Sequence, residues 1–247
     1  MKRLLIFVLF LFIFSSNIFA KQKIVLVTGE WSPYTSYRIK GYGFFTEIVS
    51  AVFEEAGLDF EYKFYPWLRC EYNLKKGIAF AAFPYFINDD RKKKFNFSKG
   101  IVKSTSRLFY LKSRIKSDIK WMRYEDLKPY TIGGSIGYWY RTKFEKANLT
   151  IDYGYNDKIG FKKLYAGRYD FLATNELVGW ALIRKMYPEE INKFCTVKKP
   201  LQQDYLHLMI SRTYPDHLSI TKRINEALLS IKRNGIYLKI LEKNKIE

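Results

Sequence analysis

The chain has few of the residues that build metal sites and covalent cross-links: its 247 residues include two cysteines and two histidines. Because zinc sites draw on clusters of cysteine and histidine, this shortage argues against zinc, and we expect no metal or other cofactor. Cys70 and Cys195 form the single pair available for a disulfide. Their distance along the sequence leaves open whether they meet.

Long hydrophobic runs are also scarce, and the one at the start is too short to be a membrane span with its own anchors. It consists of a basic start, the apolar stretch 4–14, a polar break at 15–17 and the small residue Ala20. This order predicts a secretory signal peptide over residues 1–20, cleaved near Ala20. No cysteine follows the apolar stretch, which argues against a lipid anchor. We therefore expect a soluble protein that is periplasmic or otherwise secreted.

Acidic residues are few: 24 Asp and Glu stand against 43 Lys and Arg, for a net charge of +19. Removal of the signal peptide with Lys2 and Arg3 lowers the net charge to +17. Such a balance is typical of proteins that meet anionic ligands, nucleic acid or anionic lipid. The lysines are spread over the whole chain and the protein is expected to be exported, so we expect no nucleic-acid partner. The simplest interpretation of the positive charge is that the chain is rich in lysine and that this excess has no functional role.

Strand and helix patterns alternate in two similar series, which predicts an α/β fold with doubly wound, mostly parallel sheets. The predicted strands are 24–27, 60–64, 78–83, 108–111, 130–132, 150–153, 170–173 and 205–211. The predicted helices are 42–56, 68–76, 137–147, 157–166, 176–187 and one that starts at Asp216 and is capped by Asn234-Gly235. In the first helix the apolar residues share one face: Phe44, Phe45, Ile48, Val49, Val52 and Phe53.

The most informative segment runs from Ile78 to Ser98. A short apolar run ends at Pro84, a polar turn follows with Arg91, and then comes Phe95-Asn-Phe-Ser98. In this order the segment resembles the first lobe of family 3 extracellular solute-binding proteins, the receptors of polar amino-acid importers. Other segments are similar to that family in the same order along the chain: Trp31-Ser-Pro-Tyr34, Gly41 to Glu47, Gly167-Arg-Tyr-Asp170 and Asn234-Gly235.

The resemblance covers nearly the whole mature chain and implies a two-lobed, type II-like periplasmic-binding-protein fold with a ligand cleft between the lobes. Lobe 1 would take 21–112 and 205–247, and lobe 2 would take 113–204, with hinge crossings near 108–113 and 203–208. The protein would be a monomer that passes a small polar ligand, amino-acid-like or acidic, to the membrane permease of an ABC importer. The two cysteines would lie in different lobes as unpaired, mostly buried thiols.

In the family the arginine that corresponds to Arg91 clamps a ligand carboxylate, and a planar guanidinium suits this because it donates two parallel hydrogen bonds. An arginine on a solvated basic turn is the alternative, since three lysines follow it. Trp31 and Tyr34 would place rings against the ligand. Trp67 and Arg69 follow a strand end, the edge on which doubly wound sheets bind ligands, although core packing and solvent exposure explain them equally well.

The chain also departs from the family at positions that hold an α-amino acid. Pro84 and Phe86 replace hydroxyl residues, and Asn88 replaces a threonine. In lobe 2 the aspartate that pairs with the ligand ammonium corresponds to Asn175, with Glu176 beside it. These changes favour an acidic or aromatic ligand over a standard zwitterion.

Two of the lobe 2 candidates have a purely structural alternative. Ser135, together with backbone amides, would meet the anionic end of the ligand, and a plain helix N-cap explains this serine equally well. Asn175 is also suited to be the N-cap of the helix at 176–187.

Enzymatic alternatives remain. Gly133-Gly-Ser135-Ile-Gly137 matches the G-x-S-x-G pattern of a hydrolase nucleophile elbow, although no HGGG-type segment precedes it. Candidate partners follow at Asp152, Asp157, Asp170, His207 and His217. Some relatives look like dehydratases of cyclic aromatic precursors with a lobe 2 carboxylate as acid or base, for which Glu176 would serve here. We expect a binding protein rather than an enzyme, with a ligand sensor as a further alternative.

Overall fold

A computed structural model describes residues 23–116, 119–136 and 138–246 of the chain. The predicted signal peptide, residues 1–20, and Gly137 of the G-x-S-x-G pattern lie outside the described residues. Among the helices within those ranges, none has the length and apolar character needed to cross a membrane.

The first half of the molecule is built on parallel strands in the order β2-β1-β3, with helices on both faces. Its elements are β1 (Ile24–Thr28), a 3-10 turn (Lys40–Tyr42), α1 (Phe44–Glu55), β2 (Phe60–Phe64), α2 (Trp67–Lys75), β3 (Ala81–Tyr85), α3 (Asp89–Lys94) and β4 (Asn96–Phe97). The chain end returns to this half as α7 (His217–Arg233) and α8 (Ile236–Lys243), and both helices contact α1.

Side chains alternate between the two faces of this sheet, as the period of a strand requires. On β3, Phe83 packs in the cluster with α1 and α7, whereas Ala82 packs on the other face with Cys70 and Leu74 of α2. The predicted apolar face of α1 is confirmed, since its members are all buried: Phe44, Phe45, Ile48, Val49, Val52 and Phe53.

The second half repeats the design with parallel strands in the order β8-β6-β7. Its elements are β6 (Ile132–Ser135), α4 (Arg141–Lys146), β7 (Ile151–Gly154), α5 (Asp157–Tyr165), β8 (Phe171–Asn175), α6 (Glu176–Met186) and β9 (Phe194–Thr196), with 3-10 turns at Tyr124–Leu127 and Pro188–Lys193. On β8, Phe171 and Leu172 again point into clusters on opposite faces.

Two long antiparallel strands, β5 (Val102–Leu111) and β10 (Gln202–Ile210), join the halves. They pair with each other from Val102 to Ser106, after which β5 continues along β8 and β10 continues along β3 and β4. One sheet path therefore runs through both halves, and the chain crosses between them on these two strands. The predicted lobe boundaries at 112/113 and 204/205 stay a prediction.

Strand β3 differs from the prediction of 78–83, because it begins at Ala81 and continues through Pro84 to Tyr85. Ile78 is 55% exposed and precedes the strand. Proline lacks an N–H and is tolerated where strand pairing is irregular. Here the register with β10 shifts between His207 and Met209, opposite the proline, so Pro84 does not end the strand.

The helices that were predicted least well lie beside the cleft between the halves. Helix α4 begins at Arg141 rather than at 137, because the Tyr140 hydroxyl points inward, accepting from the Ser135 amide at 2.8 Å and donating to the Ala173 carbonyl at 2.9 Å. The predicted polar turn after Pro84 contains the short helix α3. Its N-cap is Asn88, whose side chain accepts a hydrogen bond from the Arg91 amide at 2.8 Å.

At the chain end, the predicted cap Asn234-Gly235 does close a helix, α7. Gly235 has a φ of 83°, a left-handed conformation that favours glycine, and it reverses the chain into the unpredicted helix α8. Both cysteines are free, as expected: Cys70 is buried in the first half and Cys195 is half-buried beside the second.

Candidate functional site

A cavity of about 390 Å³ lies between the two halves, at the carboxyl ends of the parallel strands. Its walls come from both halves: Trp31, Pro66, Trp67, Leu68, Glu71, Pro84, Tyr85, Phe86 and Arg91 on one side, Ile136, Tyr138, Trp139 and Tyr155 on the other, and Leu206 at the crossing. Aromatic rings dominate this lining, and Arg91 and Glu71 are its charged members. Cavities of this size hold small molecules.

Arg91 extends from α3 into this lining rather than into solvent. Its side chain is 16% exposed, whereas the three lysines that follow it are exposed. The guanidinium lies over the ring of Tyr85, 4.6 Å from the centroid, and donates to the Phe86 carbonyl at 3.2 Å. The guanidinium also donates from Nη2 to Glu71 at 3.5 Å, and the N–H groups of the planar group that remain can donate to an anion.

Glu71 is the second charged side chain of the lining, and it was not among the predicted site residues. Its Oε1 lies 3.5 Å from Nη2 of Arg91, and its side chain is 28% exposed. Glu71 and Trp67 are four residues apart on α2, so they share one face of that helix. This spacing is the one sequence signal that could have identified Glu71 once Trp67 had been singled out.

Trp67 is held by packing against a glycine. A Cβ atom on Gly29 would lie 2.5 Å from the Trp67 ring, so only glycine at this position leaves room for the indole. The ring also meets Tyr85 edge-on at 5.6 Å. Arg69 is placed elsewhere: it is exposed, it lies over the ring of Tyr65, and it is outside the cavity lining in the described part of the chain.

Trp31 reaches across the cavity to the second half, where its Nε1 donates to the Tyr138 hydroxyl at 3.0 Å. Its ring stacks on Tyr34, with centroids 4.4 Å apart. Gly43 lets this loop pack on the start of α1, since it has a φ of 95° and a Cβ atom there would lie 2.5 Å from the Tyr34 carbonyl oxygen.

Tyr34 does not face the cavity, because it is fully buried behind Trp31. Its hydroxyl shares a hydrogen bond of 2.9 Å with Ser104 on β5. Burial raises the pKa of Tyr34 to about 12, so the phenol is neutral at physiological pH. Tyr34 therefore packs against the buried side of the Trp31 ring.

A buried carboxylate holds Tyr138. The Tyr138 hydroxyl donates to Oδ2 of Asp157 at 2.5 Å, and the Ser135 hydroxyl donates to Oδ1 at 2.7 Å. Burial raises the pKa of Asp157, and burial together with the nearby Asp157 charge raises the pKa of Tyr138 well above its usual value. A continuous chain of hydrogen bonds therefore runs from Trp31 in the first half through Tyr138 to Asp157 in the second.

The two residues at and beside the position where the family binds the ligand ammonium, Asn175 and Glu176, have other partners. The Asn175 side chain is fully buried, donates to Ser104 at 2.7 Å and to the Thr105 carbonyl at 3.1 Å, and caps α6 by accepting from the Val178 amide at 3.2 Å. Glu176 pairs with Arg107 at 2.6 Å. Neither residue belongs to the cavity lining in the described ranges.

The serine of the G-x-S-x-G pattern has an acidic partner rather than a basic one, since its hydroxyl donates to Asp157. His207 Nδ1 donates to the Ser98 carbonyl at 2.8 Å, and His217 Nδ1 lies 3.3 Å from the Asn96 amide. Gly133 is explained by packing, because a Cβ atom there would lie 2.4 Å from the Tyr169 ring.

The predicted site residues thus fall into separate groups. Arg91, Trp31 and Trp67 meet in the cavity lining. Asn88 supports Arg91 as a helix cap, Tyr34 supports Trp31, and Ser135 supports Asp157. Tyr138, Trp139 and Tyr155 were not among the predicted site residues, because they lie in turns, where apolar periodicity carries no signal.

Residues 24–245 of the chain match the family model of bacterial extracellular solute-binding proteins, family 3. No curated protein sequence matches this chain significantly. Among solved structures, the arginine-, lysine-, histidine-binding protein ArtJ from Geobacillus stearothermophilus is similar at 23% identity and a TM-score of 0.73, over 90% of this chain and 94% of that one.

Two further structures share the architecture at lower identity. A histidine kinase sensor domain with similarity to periplasmic binding proteins has 16% identity and a TM-score of 0.74, over 91% of this chain and 96% of that one. The ancestral amino acid-binding protein AncCDT-1, described as a precursor of cyclohexadienyl dehydratase, has 20% identity and a TM-score of 0.71. The match covers 90% of this chain and 94% of that one.

At these identities the similarity to solved structures shows the fold alone, a two-lobed α/β binding protein in which the halves described above are the lobes. The family model is more specific, because it spans almost the whole described chain. The protein therefore belongs to the bacterial extracellular solute-binding proteins, family 3.

Proposed function

We propose that the protein is exported, captures a small organic ligand that carries a carboxylate in the cleft between its lobes, and presents it as a monomer to the permease of an ABC importer. The observation that carries this proposal is the position of Arg91, whose largely buried guanidinium lines a cavity formed by both lobes. A ligand that contacts both walls favours the closed arrangement of the lobes, so closure would be the functional step.

The export and transport parts of the proposal rest on other observations. The signal-peptide pattern of residues 1–20 supports secretion, and the family supports delivery to an importer. The lobes would move as units with boundaries at 112/113 and 204/205. Capture of a ligand serves a sensor equally well, and a sensor would keep the same cleft but dock to a receptor instead of a permease.

The first experiment is a thermal-shift screen of the purified protein over amino acids, dicarboxylates, opines, polyamines and small oligopeptides. A ligand that binds the folded state raises the melting temperature according to its affinity. Stabilisation by at least one carboxylate-bearing class is expected. If no compound of any class stabilises the protein, the proposed function is wrong.

Arg91→Ala tests the site with the best compound of that screen. Loss of a charge-assisted, bidentate contact should cost roughly 1.5–3 kcal/mol, or about one to two decades in affinity by titration calorimetry. Arg91→Lys should also bind poorly because the fork geometry is lost. Lys92→Ala is the matched control, since it removes a positive charge from the next residue of the same helix, where the side chain is exposed. Unchanged affinity in Arg91→Ala would place the ligand elsewhere.

The dehydratase alternative finds less support. An acid or base must reach the reacting group within hydrogen-bond distance. Glu176 is instead engaged by Arg107 at 2.6 Å and stands outside the cavity lining within the described ranges. Incubation with cyclic aromatic precursors, followed by aromatic absorbance, is the direct check.

A further inference from the structure

The cleft wall of the first lobe presents two opposite charges side by side, which an acidic ligand alone does not explain. Glu71 and Arg91 both line the cavity, with 3.5 Å between Oε1 and Nη2. A carboxylate beside the arginine would repel the second negative charge of a dicarboxylate. The site is therefore poorly suited to a purely anionic ligand.

The contact between Glu71 and Arg91 does not use all the hydrogen-bond donors and acceptors of the two groups. Strong hydrogen bonds between ionised groups have N···O distances of about 2.7–2.9 Å, shorter than the separation found here. An ionised carboxylate accepts at both oxygens and a guanidinium donates from five N–H groups. Both side chains line the cavity and remain partly exposed, at 28% for Glu71 and 16% for Arg91. Each retains capacity for a group of opposite charge.

This spacing suits a ligand whose own opposite charges are adjacent. In an α-amino acid the ammonium nitrogen and the carboxylate carbon are bonded to the same Cα, so they lie about 2.5 Å apart. The carboxylate would bind Arg91 and the ammonium would bind Glu71, both on the same lobe. Asn175 and Glu176, at and beside the position where the family binds the ammonium, are engaged by Ser104 and Arg107 respectively.

The remainder of the lining defines the side chain of the ligand. Beyond the two charges the walls are mainly rings and aliphatic groups: Trp31, Trp67, Leu68, Trp139 and Tyr155 stand around the cavity. A polar side chain would be desolvated there with few partners, at a cost that an apolar side chain avoids. The volume of about 390 Å³ is at the small end of ligand sites, which suits one amino acid better than a peptide.

We propose that Glu71 binds the α-ammonium of the ligand, and that the ligand is an amino acid with a large apolar or aromatic side chain. This inference rests on the proposed function, since it concerns the same cleft. It places recognition of the ammonium on helix α2 of the first lobe, whereas the family resemblance implies the second lobe, where Asn175 replaces the acidic partner.

The test changes the protein and the ligand in turn: Glu71 is replaced in the protein, and the ammonium is removed from the ligand. The two probes are L-phenylalanine and its deaminated counterpart 3-phenylpropanoate. Titration calorimetry measures both on the full mature protein and on Glu71→Gln. The unmodified protein should bind L-phenylalanine at least tenfold more tightly than 3-phenylpropanoate. In Glu71→Gln this preference should vanish, while 3-phenylpropanoate binds as well as before or better because a negative charge near Arg91 is gone. Glu54→Gln, an exposed change on α1, should leave both affinities unaltered.

The results separate the two proposals. If Glu71→Gln weakens both probes equally, or if 3-phenylpropanoate binds the unmodified protein as tightly as L-phenylalanine, Glu71 does not bind the ammonium. If dicarboxylates or polar amino acids bind while L-phenylalanine, L-tryptophan and L-leucine do not, the ligand class is wrong and the proposed function stands. If nothing binds, both proposals fail. Urea unfolding of each variant verifies that it is folded.

Discussion

The two lobes contribute different groups to the cleft that they enclose. Both lobes supply aromatic rings, but among the described residues of the lining the two charges, Arg91 and Glu71, lie on neighbouring helices of the first lobe, whereas the second lobe adds Ile136, Tyr138, Trp139 and Tyr155 and no charge. Asp157 of the second lobe is buried, accepts a hydrogen bond from the Tyr138 hydroxyl and is outside the cavity lining in the described part of the chain. Similar sheet architectures therefore present different side chains to one cleft, and under the proposed function charge recognition would fall to the first lobe and closure to contacts with the second.

The largest effect in the second lobe should follow from a change in its packing. Gly133→Ala places a Cβ atom 2.4 Å from the buried Tyr169 ring. Overpacking of this kind typically costs about 1–3 kcal/mol, so the free energy of unfolding in urea should fall by that amount. Gly154→Ala on the neighbouring strand is the control, since its nearest contact would be an ordinary 3.9 Å and its stability should hardly change.

Ligand affinity of a folded Gly133→Ala protein should stay near that of the unmodified protein, because Tyr169 lies in the core of the second lobe and not in the cavity lining. A loss of affinity as large as that of Arg91→Ala would contradict the division of roles between the lobes.

A smaller effect is expected from the contact that links the lobes. Tyr138→Phe removes the hydroxyl that accepts from Trp31 and donates to Asp157. One net hydrogen bond is worth about 0.5–1.5 kcal/mol, which corresponds to a loss of roughly twofold to tenfold in affinity for a ligand bound in the closed cleft. X-ray scattering should show a larger radius of gyration if this bond holds the lobes together.

Tyr155→Phe is the matched control for this link. Its ring lines the same cavity from the same lobe but is 86% exposed. Its loss of a hydroxyl should leave the radius of gyration unchanged. Equal behaviour of the two variants would show that the Trp31–Tyr138 bond does not contribute to closure.

The smallest effect concerns pH, where buried groups of the two lobes respond in opposite directions. Burial lowers the pKa of His207 on β10, and burial raises the pKa of Asp157. A lowered histidine pKa means that protonation is harder in the folded state. Its contribution to stability is present above pH 6.5 and is lost as pH falls from there through the folded pKa.

For Asp157 the sign is reversed, because its pKa is higher in the folded state than in the unfolded state. Its contribution to the free energy of unfolding is present below about pH 3.8 and is lost as pH rises through the folded pKa. The histidine effect is accessible by urea unfolding at pH 7.5 and pH 5.5. The unmodified protein should lose stability relative to His207→Gln on going to the lower pH, by less than about 1.4 kcal/mol per pH unit. An equal change in both proteins would show that another group governs the acid response.

The fold was accessible from the sequence where local signals are strong. The strand at 60–64 and the starts of α5 and α6 were predicted to within a residue, because each has an apolar pattern bounded by caps or glycines. Near the cleft the prediction failed in detail. Pro84 does not end β3, since a register shift in β10 accommodates it, and α4 starts late because Tyr140 bonds across the sheet.

By itself the sequence determined the alternation of strands and helices and the two-lobed family, and it singled out Arg91 while leaving open whether this residue lies in the cleft or on a solvated turn. These depend on periodicity and on short motifs, which act over a few neighbouring residues. Only the tertiary structure decided which side chains share the cavity. Glu71 meets Arg91, Trp31 meets Tyr138, and Asn175 is buried against Ser104, each across a long stretch of chain. Such contacts depend on how the packed sheets bring distant segments together, and no local pattern encodes them.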